Sequence, residues 1–214
     1  IEAYFGPIPR GKKPVPTVSI VEPPLKGEIR DTIYDNIELP AVIQAYRIPA
    51  QGTADFYALE MLSKILSSGE SSRLHKRMVE TSESAMFVGS FPFSSEDPGL
   101  SFMFAIANGT NQPHTLEKEI DEELEKVKTE LITDREYEKI RNMIENDFIN
   151  NFNSMIGIAE NLANYHMYFG DANLINTELD RYMKVTKEDI QRVAKKYFVK
   201  ENRITLYYLP KAKN

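Results

Sequence analysis

The chain contains no cysteine. Disulfides, thiolate catalysis and Cys-ligated zinc are therefore excluded. Histidine is scarce: His75, His114 and His166 are the only three in 214 residues, so a three-histidine metal site would consume all of them. None belongs to an H-x-x-E-H, an H-E-x-x-H or another compact pair on one helix face. No apolar run approaches the ~20 residues of a membrane span. Phosphate loops of the P-loop or dinucleotide type are missing, and so is the G-x-S-x-G nucleophile elbow. Positive charge is not in excess: 26 Lys+Arg against 32 Asp+Glu leave a net charge of −6, which argues against a nucleic-acid footprint. The first residue is Ile1, not Met, and no charged-then-apolar signal segment follows it. The chain therefore reads as processed or cut from something longer.

What is present suits one soluble domain. Hydrophobic residues make up 42% and charged residues 27%, and a chain of this length buries roughly 70% of its unfolded surface. Residues 1–27 read as an interdomain linker or arm. Ile1 to Phe5 suit the last turn of a helix, with Gly6 as its cap and Pro7 as a stop. Pro9, Gly11, Pro14, Pro16 and Pro23-Pro24 then break the chain around a short strand at Thr17 to Val21. Residues 28–214 read as a single α+β domain. Alternation predicts strands at Glu28 to Tyr34 and Ala41 to Ile48. A helix capped by Thr53 runs to about Ser67, with Phe56, Leu59, Leu62, Ile65 and Leu66 on one face. A second, short helix follows from Ser71, with Ser71 or Ser72 as its cap. Strands at Ala85 to Phe93 and Leu100 to Ala107 flank an Asp97-Pro98-Gly99 turn. The second strand has a small face, Ser101, Met103, Ala105 and Ala107, suited to closely packed helices.

The second half is helical. Leu116, Ile120, Leu124, Val127 and Leu131 form one stripe. Thr133 with Glu136 is a capping box that opens a long helix reaching Phe169, with Gly170 as cap and an apolar stripe through Ile140, Ile144, Phe148, Phe152, Met155 or Ile156, Leu162, Tyr165 and Phe169. Helices near Leu174 to Met183 and after Thr186 precede a last strand at Arg203 to Leu209. Short hairpin connections predict an antiparallel β-sheet with helices packed on one face.

No residue stands out as catalytic or metal-binding. Ser71 follows a Gly but no strand enters it, so it reads as a cap. Asn108-Gly109-Thr110 reads as a turn that matches the glycosylation sequon. Glu117, Glu119, Asp121, Glu122, Glu123 and Glu125 crowd one helix and read as a solvated face. One pattern is less routine. Asn142, Asn146, Asn150, Asn153, Gly157, Asn161 and Asn164 are spaced 4, 4, 3, 4, 4 and 3, which keeps them on one face of a continuous helix. Asn is a mediocre helix former, so propensity does not explain the row. Two readings stand: a neutral solvated face, or a wet internal surface such as a chamber wall or a partner domain.

Several segments are familiar. Tyr4-Phe5-Gly6-Pro7-Ile8-Pro9 resembles the interdomain stretch of the pitrilysin/insulinase family of zinc metallopeptidases, which includes mitochondrial processing peptidase. Leu66 to Leu74, L-S-S-G-E-S-S-R-L, resembles that family's G-x-S-S-R-L segment. The helix opening at Thr133 and the Val185 to Ile190 segment are also similar, and the likeness runs collinearly along nearly the whole chain. The family's domains are antiparallel sheets with helices on one side. Its zinc domain carries H-x-x-E-H and a distal Glu; this chain has neither, and it resembles the second, zinc-free domain of a half-molecule. Some zinc-free domains of the family lend an Arg and a Tyr to the active site. Alignment on Ser71-Ser72-Arg73-Leu74 puts Val79 and Met86 at those positions, with Arg77 two places early and Phe87 lacking a hydroxyl, so the pair is missing.

The resemblance implies a non-catalytic domain of a zinc-dependent endopeptidase that supports the zinc domain and walls a peptide-enclosing chamber. The chain alone is expected to be inactive, with no cofactor of its own and zinc in an N-terminal domain. Expected partners are that zinc domain, a second homologous half or subunit, and peptide substrate, with no nucleic acid and no membrane span. The alternatives are a scaffold or assembly subunit of a non-peptidase member, and a stand-alone peptide-binding module that uses a sheet edge. The lack of cysteine and the habits of the family point to the periplasm or cell envelope of a bacterium.

Overall fold

The computed structural model describes residues 1–9, 11–13, 20 and 22–211. The strand expected at Thr17 to Val21 lies outside them, Ile20 excepted. Helix α1 (Glu2–Phe5) is a single exposed turn whose last N–H, from Gly6, reaches the Glu2 carbonyl. Five strands form one sheet: β1 (Ile29–Asp35), β2 (Ala41–Ile48), β3 (Ala85–Pro92), β4 (Gly99–Ala107) and β5 (Arg203–Pro210). Their order across the sheet is β1-β5-β2-β4-β3. The neighbouring pairs among β2 to β5 are all antiparallel, as expected. The departure is β1, which pairs with β5 in parallel. The short connection from β1 to β2 is therefore not a hairpin, because β5 inserts between them. A strand arriving from an arm has no turn to fix its direction, so its side chains decide where it docks.

The helices α2 (Ala54–Ser67), α3 (Pro113–Thr129), α4 (Asp134–Asn151), α5 (Met155–Phe169), α6 (Leu174–Met183) and α7 (Lys187–Tyr197) follow the periodic stripes in the sequence. Thr53, Thr133 and Thr186 each accept from a backbone N–H three residues on, and the last two form complete capping boxes. The core lies between one face of the sheet and the helices. Val42, Tyr46, Met103 and Ala105 meet Leu59, Leu62 and Leu66 of α2, Ile120 of α3 and Val193 of α7. The small side chains of β4 are what let helices approach. Between α2 and β3 the short helix has π geometry, His75–Thr81. Ser71 and Ser72 do not cap it: no side-chain cap is made, the Ser72 hydroxyl is buried without a partner, and Ser71 bonds elsewhere.

The long helix expected from Thr133 to Phe169 is two helices. It breaks at residues 152–154, where Ser154 caps α5 by accepting from the Gly157 N–H at 3.0 Å. Four residues of the run from Asn150 to Ser154 carry short polar side chains, which compete with the helix ladder for backbone groups. The turn also brings the Asn151 carbonyl so close to Gly157 that a Cβ there would lie 2.2 Å from it. The break rotates α5, so Met155 and Ile156, expected in the buried stripe, face solvent, and α5 buries no side chain fully. Gly157→Ala should lower the melting temperature by about 3–6 °C, a cost on the order of 1–2 kcal/mol. Thermal melts followed by circular dichroism check this, and an unchanged melting temperature would contradict the close approach.

Candidate functional site

Among the described residues no three His, Cys, Asp or Glu side chains gather as a metal would require. His75 sits beside Glu80 at 3.4 Å on the π-helix, His114 opens α3 and His166 lies on the exposed side of α5. Where α2 faces α6, two carboxylates instead hold tyrosines. The Tyr57 hydroxyl donates to Glu178 at 2.5 Å, and Tyr182 donates to Glu60 at 2.5 Å. Burial raises the pKa values of Glu60, Tyr57 and Tyr182, so all three hold their protons more tightly than usual. Buried acids bonded to phenols are a lock between helices, with no nitrogen ligand at hand.

Ser71 has a neighbour that invites a catalytic reading. The Lys139 ammonium donates to its Oγ at 2.6 Å and to the Ser68 carbonyl at 3.2 Å. A serine–lysine nucleophile needs a desolvated amine able to accept a proton. An ammonium that donates both to the serine and to the last carbonyls of α2 is a C-terminal cap. Arg73, from the same segment, makes a bidentate pair with Glu136, Nε to Oε1 at 2.7 Å and an Nη to Oε2 at 3.0 Å. Glu136 also accepts from the Thr133 N–H at 2.9 Å. Partial burial pushes the Glu136 carboxyl up, but these bonds outweigh burial and bring it down to about 2. The two most family-like stretches of the sequence are thus one joint.

The acidic helix α3 is not a solvated face. Arg203, only 2% exposed, is bonded by Glu28 at 2.7 Å, by Asp121 at 2.7 and 2.9 Å and by Glu117 at 3.1 Å. Glu117 also forks onto Arg30 of β1 at 2.6 and 2.8 Å. Glu119 accepts from Ser82 and Ser84, and Glu123 from Lys126 at 2.6 Å. The i,i+4 spacings of Glu117 with Asp121 and of Glu119 with Glu123, flanking the apolar stripe, were the available signal. Val79 packs against the core, Met86 is exposed, and Arg77 turns to Glu122 at 3.2 Å.

The other face of the sheet is apolar, and among the described residues no helix covers it. Cross-strand register aligns Phe91, Phe102, Ala45, Ile204 and Ile29 in one row. Phe87, Ile106, Ala41, Tyr208 and Ile33 form another, and between them Asp31 is the only charge in a row with Phe104, Ile43 and Leu206. Phe87 is 51% and Phe91 46% exposed. Three rows across five strands cover on the order of 400 Å², a contiguous patch of the size of an interaction site. At its end a cavity of about 900 Å³ opens between Phe91, Phe93, Phe102, Ile204 and Ile20 of the arm, beside Arg47. The β3 edge is closed at its middle: the Ser67 hydroxyl of α2 accepts from the Ser90 N–H at 2.8 Å and donates to its carbonyl at 3.1 Å.

The asparagines fall into two sets. Asn142, Asn146 and Asn150 are exposed on α4, and Asn153 lies in the break with its amide bonded to Asn150. Asn161 and Asn164 are on α5, where Asn161 is half-buried and donates to the Gly157 carbonyl at 2.8 Å. They do not form the single helical face that their spacing implies.

The Arg73–Glu136 joint has a pH signature. A carboxyl held below its unfolded value stabilises the fold above about pH 4.5 and loses that contribution as pH falls toward 2. Glu136→Gln should cost on the order of 2 kcal/mol near pH 7 and little near pH 2. Urea unfolding at both pH values measures the difference; an equal loss at both would remove the joint from the account.

Residues 1–144 match the family described as Peptidase M16 inactive domain. The chain is 28% identical over 200 residues to the zinc protease PqqE of Helicobacter pylori, covering 93% of this chain and 45% of that protein. A crystal structure of a Helicobacter pylori protease superposes with a TM-score of 0.90 at 27% identity, over 98% of this chain and 50% of that one. The inactive peptidase domain from Bordetella parapertussis superposes at 0.74 with 25% identity, over 85% of this chain and 96% of that one. The chain thus spans about half the length of the Helicobacter proteins it matches. With no metal-binding group among its described residues, a five-stranded sheet backed by helices on one face and a collinear match over two-thirds of its length, the chain belongs to the M16 peptidase inactive-domain family.

Proposed function

We propose that this chain is the non-catalytic domain of a zinc-dependent endopeptidase. It supports a zinc domain through the apolar sheet face opposite its helices and helps to wall a chamber in which peptides are enclosed. The observation that carries this reading is the three-row apolar patch. A sheet that is apolar on both faces calls for a second layer. Here the helices occupy one face, and among the described residues Phe87, Phe91, Ile33 and Ile29 of the other are exposed. The half-length match to a zinc protease supplies the kind of partner that would cover it. The residues of this chain do not fit zinc, so in this reading the metal belongs to the other domain, a second homologous half completes the chamber, and the periplasm or envelope is the compartment.

Two outcomes test it. The purified chain should hold no stoichiometric zinc by metal analysis and cleave no fluorogenic peptide; tight zinc with turnover would sink the reading. In the full-length protein, Phe91→Glu with Phe102→Glu should reduce peptide cleavage about tenfold or more while zinc content stays at one per zinc domain, because a charge pair set into an apolar interface blocks its closure. Undiminished cleavage would remove the sheet face as the supporting surface.

A further inference from the structure

The apolar sheet face ends on a cation. Among the strand residues that the register places on that face, Arg47 is the only basic one, set opposite Leu100. It borders the cavity of about 900 Å³ walled by Phe91, Phe93, Leu100, Phe102 and Ile204. The Phe91 and Phe102 rings lie 5.5 Å apart, tilted by 32°. A concave space of several hundred cubic ångströms with apolar walls and a placed charge has the makeup of a binding site. The arm already presents a ligand of its own to this cavity. Ile20 and Glu22, two positions apart, both line it. One Arg47 Nη donates to the Glu22 carboxylate and the other to the Pro23 carbonyl. The Glu22 side chain is 76% exposed against 27% for Arg47, and an ion pair with one member so open to water contributes little. A cation largely withdrawn from water thus faces an anion that leaves at small cost.

We propose that this cavity binds the C-terminal residue of a peptide that ends in a bulky apolar side chain, the terminal carboxylate taking the place of Glu22 on Arg47. The inference rests on the reading of this domain as part of a peptidase, since hydrolysis of a peptide bond leaves a new carboxylate on one product. Four features select that occupant. A guanidinium is a planar fork that holds a carboxylate through two parallel bonds. A terminal residue carries its carboxylate and its side chain on one Cα, so ordering one residue fills both the charged and the apolar place; the arm needs two residues to do the same. Tilted aromatic rings make a wall for a ring or a short branched side chain, whereas a long acyl chain gives up many rotamers to enter. Asp97 shares the lining, so a second negative charge on the ligand meets repulsion, and the occupant is a single carboxylate rather than a phosphate or an acidic segment.

Fluorescence anisotropy with the wild-type chain and an N-terminally labelled Gly/Ser peptide that ends in Ala-Phe tests this. The free acid should bind with a Kd on the order of tens of micromolar. Its C-terminal amide should bind at least about tenfold more weakly, because it leaves the guanidinium without a counter-charge. Exchange of the terminal Phe for Ser should cost a similar factor, about tenfold. Arg47→Gln should bring the acid down to the level of the amide and leave the amide where it was, whereas a damaged fold would weaken both. Glu22→Ala should tighten the acid about threefold by removing its competitor. Equal binding of acid and amide, weaker binding of the acid by Glu22→Ala, or capture of laurate with no binding of the peptide acid would each overturn the proposal. The assay needs no zinc domain. Acid-selective binding by the chain together with undiminished cleavage in the full-length sheet variant strikes the supporting role of the sheet alone. Impaired cleavage in that variant with no acid-selective binding by the chain strikes this inference alone.

Discussion

A buried guanidinium sets the geometry of this domain. Arg203 opens β5 with almost no contact with water, and a charge so placed costs several kcal/mol unless carboxylates meet it. Glu117 and Asp121 meet it from α3, which fixes that helix over β5 and β2 at one register. Glu28 meets it from the residue before β1, and Arg30 repeats the arrangement one step on. The parallel pairing of β1 with β5 follows, since β1 buries no side chain and is held by these ion pairs and by its backbone. Because the charges sit on the helical side of the sheet, the helices do too, and the opposite face is apolar and carries none of the described helices.

Most of the architecture was legible in the sequence because periodicity is a local property. The α2 stripe from Phe56 to Leu66 is buried as its spacing implies, and the small face of β4 is the one that meets helices. What escaped was decided between distant segments. The acids of α3 look like solvent-facing charge until Arg203, some 80 residues later, is known to lie beneath them. The β1–β2 connection looks like a hairpin until β5 is known to enter between them. The break after Asn151 escaped for the opposite reason. Apolar and amide periods both run through it, and only the closeness of one carbonyl to Gly157 shows why the residue at that place in the asparagine row is a glycine.

The candidate site was legible mainly as an absence. Missing H-x-x-E-H, cysteine and the Arg–Tyr pair are sequence facts. The positive features are surfaces, and surfaces of two kinds. Phe87, Phe91, Phe102 and Phe104 stack across two strands with ring centroids 5.5 to 6.3 Å apart, a rigid array suited to one lasting neighbour. The exposed side of α5 carries Met155, Ile156 and Met167 around Glu160, an apolar surface interrupted by a charge. No spacing rule separates the two in advance, because both read as apolar residues that belong inside.

The hydroxyl that bridges α2 to the middle of β3 has a consequence for how copies of this domain coexist. An edge strand offers its outward N–H and C=O groups to any extended chain nearby. Ser67 occupies both groups of Ser90, at the centre of that edge. A sheet with a bare aromatic face would otherwise be a template for stacking sideways, copy upon copy, into a fibre. One side chain makes the sheet finite, so its apolar face can wait for a partner without propagating a ladder through its neighbours, and an unfolded segment passing the β3 edge meets a closed margin.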